Sequence, residues 1–197
     1  SVVAPLVNED KDSLFLFDQF RFSLFTRRGG RAPELDDPEH LYQLGVALGQ
    51  IHAVGAQKPY IERPVLDAQS YGWQSRELIL QHHIPANLRP AYESISQELL
   101  TRVDQRLADY ADVAQIRVHG DCHGGNVLWR DDRPHFVDFD DSRMAPAIQD
   151  LWMLLTGERY QQEGQLSEVI AGYEEFNRFD PRELNLVESY RVLRMMN

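Results

Sequence analysis

The chain has 197 residues, 43% apolar and 26% charged, the balance of a soluble globular domain rather than a disordered segment. Lys and Arg number 20 against 31 Asp and Glu, and the resulting net charge of −11 repels phosphate backbones and anionic headgroups, which argues against nucleic-acid or membrane-surface binding. The single cysteine, Cys122, excludes an internal disulfide or a Cys-rich zinc centre, and no apolar run reaches the ~20 residues of a membrane span, so a cytoplasmic monomer is expected.

In chain order, the pattern predicts strands at Val2–Val7, Leu14–Phe17 and Phe20–Phe25, with Phe15, Phe17, Phe20, Phe22 and Phe25 as sheet core. Arg27-Arg28-Gly29-Gly30-Arg31 breaks that pattern as a linker or hinge. Asp37 and Pro38 then suit the cap and first position of a helix whose stripe is Leu41, Leu44, Leu48 and Ile51, with Gly55 as its C-terminal cap. His52 lies near that stripe and is expected to be a packed histidine. The polar stretch from Gln57 to Asn87 yields no clear element. His82 and His83 within it point about 100° apart on a helix, which disfavours a shared metal. A helix from about Pro90 to Tyr110 is expected to turn Tyr92, Ile95, Leu99, Val103, Leu107 and Tyr110 inward. Strands follow at Ile116–His119, Asn126–Trp129 and His135–Phe139, the last two joined by a turn at residues 131–134. Helices are predicted at about 146–156, 165–177 and 181–197, with Asp180-Pro181 and Glu183 as a start signal for the last. Neither end carries a stop signal, and both are expected to be interruptions of a longer protein.

The chemistry concentrates in His119-Gly120-Asp121-Cys122-His123-Gly124-Gly125-Asn126 and, after the hairpin, Phe136-Val137-Asp138-Phe139-Asp140. Phosphoryl transfer needs this set: one carboxylate to orient the attacking hydroxyl and take its proton, and a carboxylate with an amide oxygen to hold magnesium against the phosphates. Cys122 is expected to be a small packed residue. A metal-hydrolase cluster of His119, Asp121 and His123 is a competing interpretation, but Asn126 suits magnesium better than a transition metal.

His119-x-Asp121 with Asn126 five residues on, then Asp138-Phe139 after a hairpin, resembles the catalytic loop and metal signature of protein kinases. The glycine after His119 and the run Val137-Asp138-Phe139-Asp140 make the segment similar to the aminoglycoside phosphotransferase and choline kinase-like group. Residues 119–130 and 149–155 resemble the bacterial stress-response kinases within it. The resemblance implies an α+β, protein-kinase-like fold: mainly the helical C-terminal lobe with a catalytic β-hairpin, the N-terminal lobe largely missing. Residues 1–28 would be the small lobe's last strands and hinge, and 29–197 the large lobe.

It further implies ATP and Mg2+ as cofactors, Asp121 as catalytic base, and Asn126 and Asp138 as metal ligands, Asp138 being the principal one. Leu24, Phe25 and Thr26 would border the adenine, and Asp150 would hold the loop's backbone, with His119, His123 and Asp140 in support. The activity implied is serine/threonine protein kinase, with a protein substrate bearing Ser or Thr. A small-molecule kinase for an amino alcohol or antibiotic is the alternative, and a non-catalytic nucleotide-binding regulator a third. The phosphate-holding lysine lies outside this chain, so the chain alone is expected to be inactive. Asp140 in place of the glycine of Asp-Phe-Gly, and the short link to the next helix, argue against control by loop phosphorylation.

Overall fold

A computed structural model describes residues 2–197. In chain order it contains β1 (Phe15–Phe17), β2 (Phe20–Phe22), α1 (Pro38–Gly55), α2 (Gln74–His82), α3 (Arg89–Asp109), β3 (Ile116–Val118), β4 (Val127–Arg130), β5 (Arg133–Phe136), β6 (Arg143–Ala145), α4 (Ile148–Leu151), α5 (Arg159–Tyr173) and α6 (Val187–Met196). The strands form three antiparallel pairs, β1–β2, β3–β6 and β4–β5. No helix among the described residues is long and apolar enough to cross a membrane.

The core lies among the helices and the two central strand pairs. α1 starts as its sequence dictates: Asp37 Oδ1 accepts from the Glu39 N–H at 2.9 Å and Pro38 fills the first position. Leu41, Leu44 and Leu48 are buried along one face, each contributing about 2 kcal/mol by leaving water. The cap residue is Ala56 rather than Gly55. α5 lies against α1 so closely that a Cβ at Gly172 would fall 2.0 Å from the Tyr42 carbonyl oxygen, which restricts that position to glycine.

Several elements depart from the pattern in the sequence. Val2–Val7 forms no strand; Val2 and Pro5 make only isolated bridges to Phe136 and Phe25. The phenylalanines of the first hairpin are not core. Phe17, Phe20, Phe22 and Phe25 are exposed: among the described residues β1 and β2 pair only with each other, and no third strand joins them. Phe15 and Phe22 stack on each other at 5.6 Å.

On α3 the buried line runs through Ser96, Leu100 and Val103, while Ile95 is 60% exposed. Counting apolar residues misplaces this face because Ser96 is satisfied inside. Its hydroxyl accepts from Arg76 Nε at 2.8 Å and donates to the Tyr92 carbonyl at 2.5 Å. Residues 57–87, unassigned from sequence, supply a π-helical turn (Gln69–Trp73) that runs into α2. They also supply a segment at 64–66 that pairs with Met144 of β6, a strand the sequence pattern does not indicate.

The strong signal at Asp180 does start a helical segment, a 3-10 stretch (Pro181–Leu186) leading into α6, with the Asp180 carboxylate accepting from the Arg182 N–H. Glu183, however, reaches away from the cap and accepts from the Ile148 N–H at the start of α4 at 2.8 Å. Burial pushes its carboxyl up to about 7. The folded chain therefore keeps a proton that the unfolded chain has released. Stability falls as pH rises from about 4.5 to about 7 and is flat above, a loss of roughly 3 kcal/mol at most. Glu183→Gln keeps the acceptor and removes the charge, so its unfolding free energy should lose this slope and exceed the parent's above about pH 7. Parallel stability–pH curves for the two proteins, from denaturant titrations, would refute the assignment.

Candidate active site

β3 delivers the chain into residues 119–126 under the control of one buried carboxylate. Asp150 Oδ2 accepts from the His119 N–H at 2.7 Å, and Oδ1 accepts from the Gly120 N–H at 2.9 Å. His52 Nε2 on α1 lies 2.9 Å from the same Oδ2, and the Tyr173 hydroxyl of α5 lies 3.3 Å from His52 Nδ1. Burial holds the Tyr173 hydroxyl well above its ordinary range, so it keeps its proton to donate. His52 thus links the Asp150 carboxylate to the Tyr173 hydroxyl through its two ring nitrogens. All three of His52, His119 and Asp150 are fully buried.

Gly120 adopts φ +87°, and a Cβ there would meet the Asp141 carbonyl oxygen at 2.1 Å, so only glycine permits the turn that presents Asp121. Asn126 Nδ2 donates to the Asp121 carbonyl at 2.9 Å and to its Oδ2 at 3.2 Å. His123 Nε2 lies 3.4 Å from Oδ2, while its Nδ1 accepts from the Gly125 N–H and caps the 3-10 turn at Gly124–Asn126. Oδ1 of Asp121 lies 2.5 Å from Nη1 of Arg194 on α6. Cys122 is packed out of reach, its thiol raised well above its usual value by burial and the neighbouring Asp150 and Asp121 charges.

The β4–β5 hairpin returns the chain to this loop through a two-residue turn, Asp131-Asp132, with both φ angles near +55°. Val127 pairs with Phe136, and the Val137 N–H donates to the Asn126 carbonyl, which brings Asn126 and Asp138 to the same end of the hairpin. Asp138 is exposed and adopts φ +61°, a left-handed conformation that costs a non-glycine residue about 1 kcal/mol or more. His119 braces the return strand: its Nε2 lies 2.8 Å from the Val137 carbonyl, and its ring packs on Phe139 at 4.4 Å. Arg63 Nη1 donates to the carbonyls of Phe139, Asp140 and Ser142, holding the backbone that follows Asp138.

Two cavities flank the loop. The larger, about 630 Å³, has apolar walls from Val3, Leu128 and Val137, and is bordered by Phe25, Thr26, Asp138 and Asp140. Leu24 does not line it; its carbonyl accepts from the Leu6 N–H at 2.7 Å. The smaller, about 280 Å³, opens on the other side, against Gly120 and Asp121. Nowhere among the described residues do three or more His, Cys, Asp or Glu side chains converge as metal ligands, so His119, Asp121 and His123 do not form a transition-metal centre. An amide oxygen such as that of Asn126 and a carboxylate such as that of Asp138 are the donor types that a hard cation takes.

Sequence reasoning did not find Arg63, Arg143, Gln149 or Arg194. Gln149, whose Nε2 donates to the Gly120 carbonyl at 3.1 Å, carried a signal as a polar residue inside an apolar helical run. The arginines carried none.

The sequence matches the phosphotransferase enzyme family over residues 2–187. It is 40% identical over 98% of its length to stress response kinase A of Shigella flexneri, and 37% identical over 99% to serine/threonine protein kinase RdoA of Salmonella typhimurium. The chain spans 58% of the length of each of these curated relatives. Among solved structures, it superposes over its whole length on 63% of the amicoumacin kinase hAmiN, crystallised with AMP-PNP, Ca2+ and Ami, with a TM-score of 0.77 and 20% identity. A spectinomycin phosphotransferase gives a TM-score of 0.68 at 17% identity, covering 99% of this chain and 64% of that one.

Proposed function

As a member of the phosphotransferase enzyme family, this chain provides, we propose, the acceptor-activating and metal-holding half of an ATP- and Mg2+-dependent serine/threonine protein kinase. The observation that carries this reading is Asp121: a carboxylate on a rigid glycine turn, with Oδ2 held by Asn126 and His123, beside a hairpin that brings up Asp138. The name of the relative at 37% identity, serine/threonine protein kinase RdoA, supports a protein acceptor.

The residues fit a metal–nucleotide pair. The larger cavity combines apolar walls suited to a planar base with Asp138 and Asp140, whose bare carboxylates would repel a polyphosphate unless a divalent cation lay between. When bound, magnesium supplies the positive charge that screens the phosphates. Asp138 and the Asn126 amide oxygen would hold it, and Phe25 and Thr26 would border the base. Asp121 orients the acceptor hydroxyl. As the new O–P bond forms and the bond from the γ-phosphorus to the ADP oxygen breaks, the hydroxyl proton passes to the Asp121 carboxylate. The segment 1–28 acts as the end of a small lobe and hinge, and 29–197 as the large lobe.

The test is the intact protein with Mg-ATP, a generic protein acceptor, and a panel of amino alcohols and aminoglycosides, with the phosphate located by mass spectrometry. Phosphoserine or phosphothreonine is expected. Phosphate on a small molecule alone would replace this reading with that of a small-molecule kinase. Mg-ATP binding without transfer to any acceptor would replace it with a nucleotide-binding regulator.

A further inference from the structure

The smaller cavity, on the Asp121 side of the loop, has a charge arrangement that bears on the acceptor. Its charged lining is two cations and two anions, Arg143, Arg194, Asp121 and Asp141. Arg143 is fixed. Its Nη2 lies 2.5 Å from Asp141 Oδ1, its Nε donates to the Asp141 carbonyl at 2.6 Å, its guanidinium lies 4.5 Å from the centre of the Tyr71 ring, and its side chain is 11% exposed.

Arg194 is different. Its side chain is 45% exposed, and among the described residues its polar contacts are Asp121 and, at 4.0 Å, the Met153 sulfur. Asp121 Oδ1 is buried, and Arg194 Nη1 lies directly against it as its counter-charge.

An acceptor hydroxyl that donates to Asp121 Oδ1 must displace Arg194. Among the described side chains the cavity then offers Arg194 no second counter-ion, because its other carboxylate, Asp141, is already committed to Arg143. The acceptor has to supply the anion. We propose that Arg194 is a specificity-determining residue that exchanges its ion pair with Asp121 for one with an acidic group beside the acceptor hydroxyl. The favoured substrate is then a Ser or Thr flanked by Asp or Glu. A cationic acceptor would leave Arg194 uncompensated. This rests on the protein-kinase reading above for its substrate class, and on the cavity alone for its charge preference.

The experiment uses the intact protein and Mg-ATP with three Ser peptides that differ only in flanking Glu, Gln or Lys, plus glycerate and aminopropanol as small acceptors. Wild type should prefer the Glu peptide to the Gln peptide by about tenfold in kcat/KM, mainly through KM, since a charge-assisted contact is worth about that factor. Arg194→Gln should flatten the order and Arg194→Glu invert it towards the Lys peptide. A uniform loss of rate in both variants with the order kept, or a wild-type preference for Lys, would overturn the proposal. Transfer to glycerate and to none of the peptides would retain the acidic preference while removing the protein acceptor. Transfer to aminopropanol alone, or to nothing, would sink both.

Discussion

Asp121→Asn should lower phosphoryl transfer by the intact protein by roughly 10²–10⁴-fold while leaving its fold and Mg-ATP affinity unchanged. The substitution keeps the shape of the side chain and an oxygen near Asn126, and removes the capacity to accept a proton together with the charge that faces the half-exposed Arg194. Asp121 is one-fifth exposed and braces no backbone through its carboxylate: its contacts are to the Asn126, His123 and Arg194 side chains. The unfolding midpoint should therefore stay close to the parent's. Initial rates beside calorimetric nucleotide titrations check this. A variant that retains more than about a tenth of the parent rate would remove Asp121 from the role of base.

Asp150→Ala should fail in the opposite way, through stability. Three donors converge on that one buried carboxylate: the His119 and Gly120 N–H groups and His52 Nε2. Truncation strands two backbone donors and an imidazole away from water, which should cost about 3–5 kcal/mol. Transfer should fall with it, because Gly120 sets the direction of Asp121. Asp150→Asn should fall between, since its amide presents an N–H₂ where one set of donors now finds an oxygen. Denaturant unfolding followed by far-UV circular dichroism measures the loss, and a change below about 1 kcal/mol for Asp150→Ala would mean that the loop is held by other contacts. The two aspartates are thus separable: one removes chemistry at constant stability, the other removes stability and chemistry together.

That His119, Asp121, Asn126 and Asp138 would be brought together was readable because their spacing spans one loop and one hairpin, which local chain geometry can express. The start of α1 was legible for the same reason, Asp37 and Pro38 being local signals. What was not legible depends on partners far away in sequence. Ser96 reads as a surface residue until Arg76 is placed beside it, and the first hairpin's phenylalanines read as core although, among the described residues, no third strand joins β1 and β2. Glu183 reads as a helix-capping residue but is recruited by α4. Arg194 lies 73 residues from Asp121, and nothing in an amphipathic helix says which of its arginines reaches that carboxylate.

The Asp150 network also bears on how the chain acquires its competence. The groups that set Gly120 come from α1, β3, α4 and α5; the His52–Asp150 contact closes 98 residues of chain, and the His52–Tyr173 contact closes 121. Ring closures of that size are made only when most of the molecule has already condensed, since their entropy cost must be met by contacts formed on the way. A half-folded chain, whether newly made or heat-damaged, carries the whole motif in its sequence yet has nothing to hold Asp121 in place. On the proposed function, phosphoryl transfer is in this way restricted to molecules that have finished folding, without any separate device to silence the others.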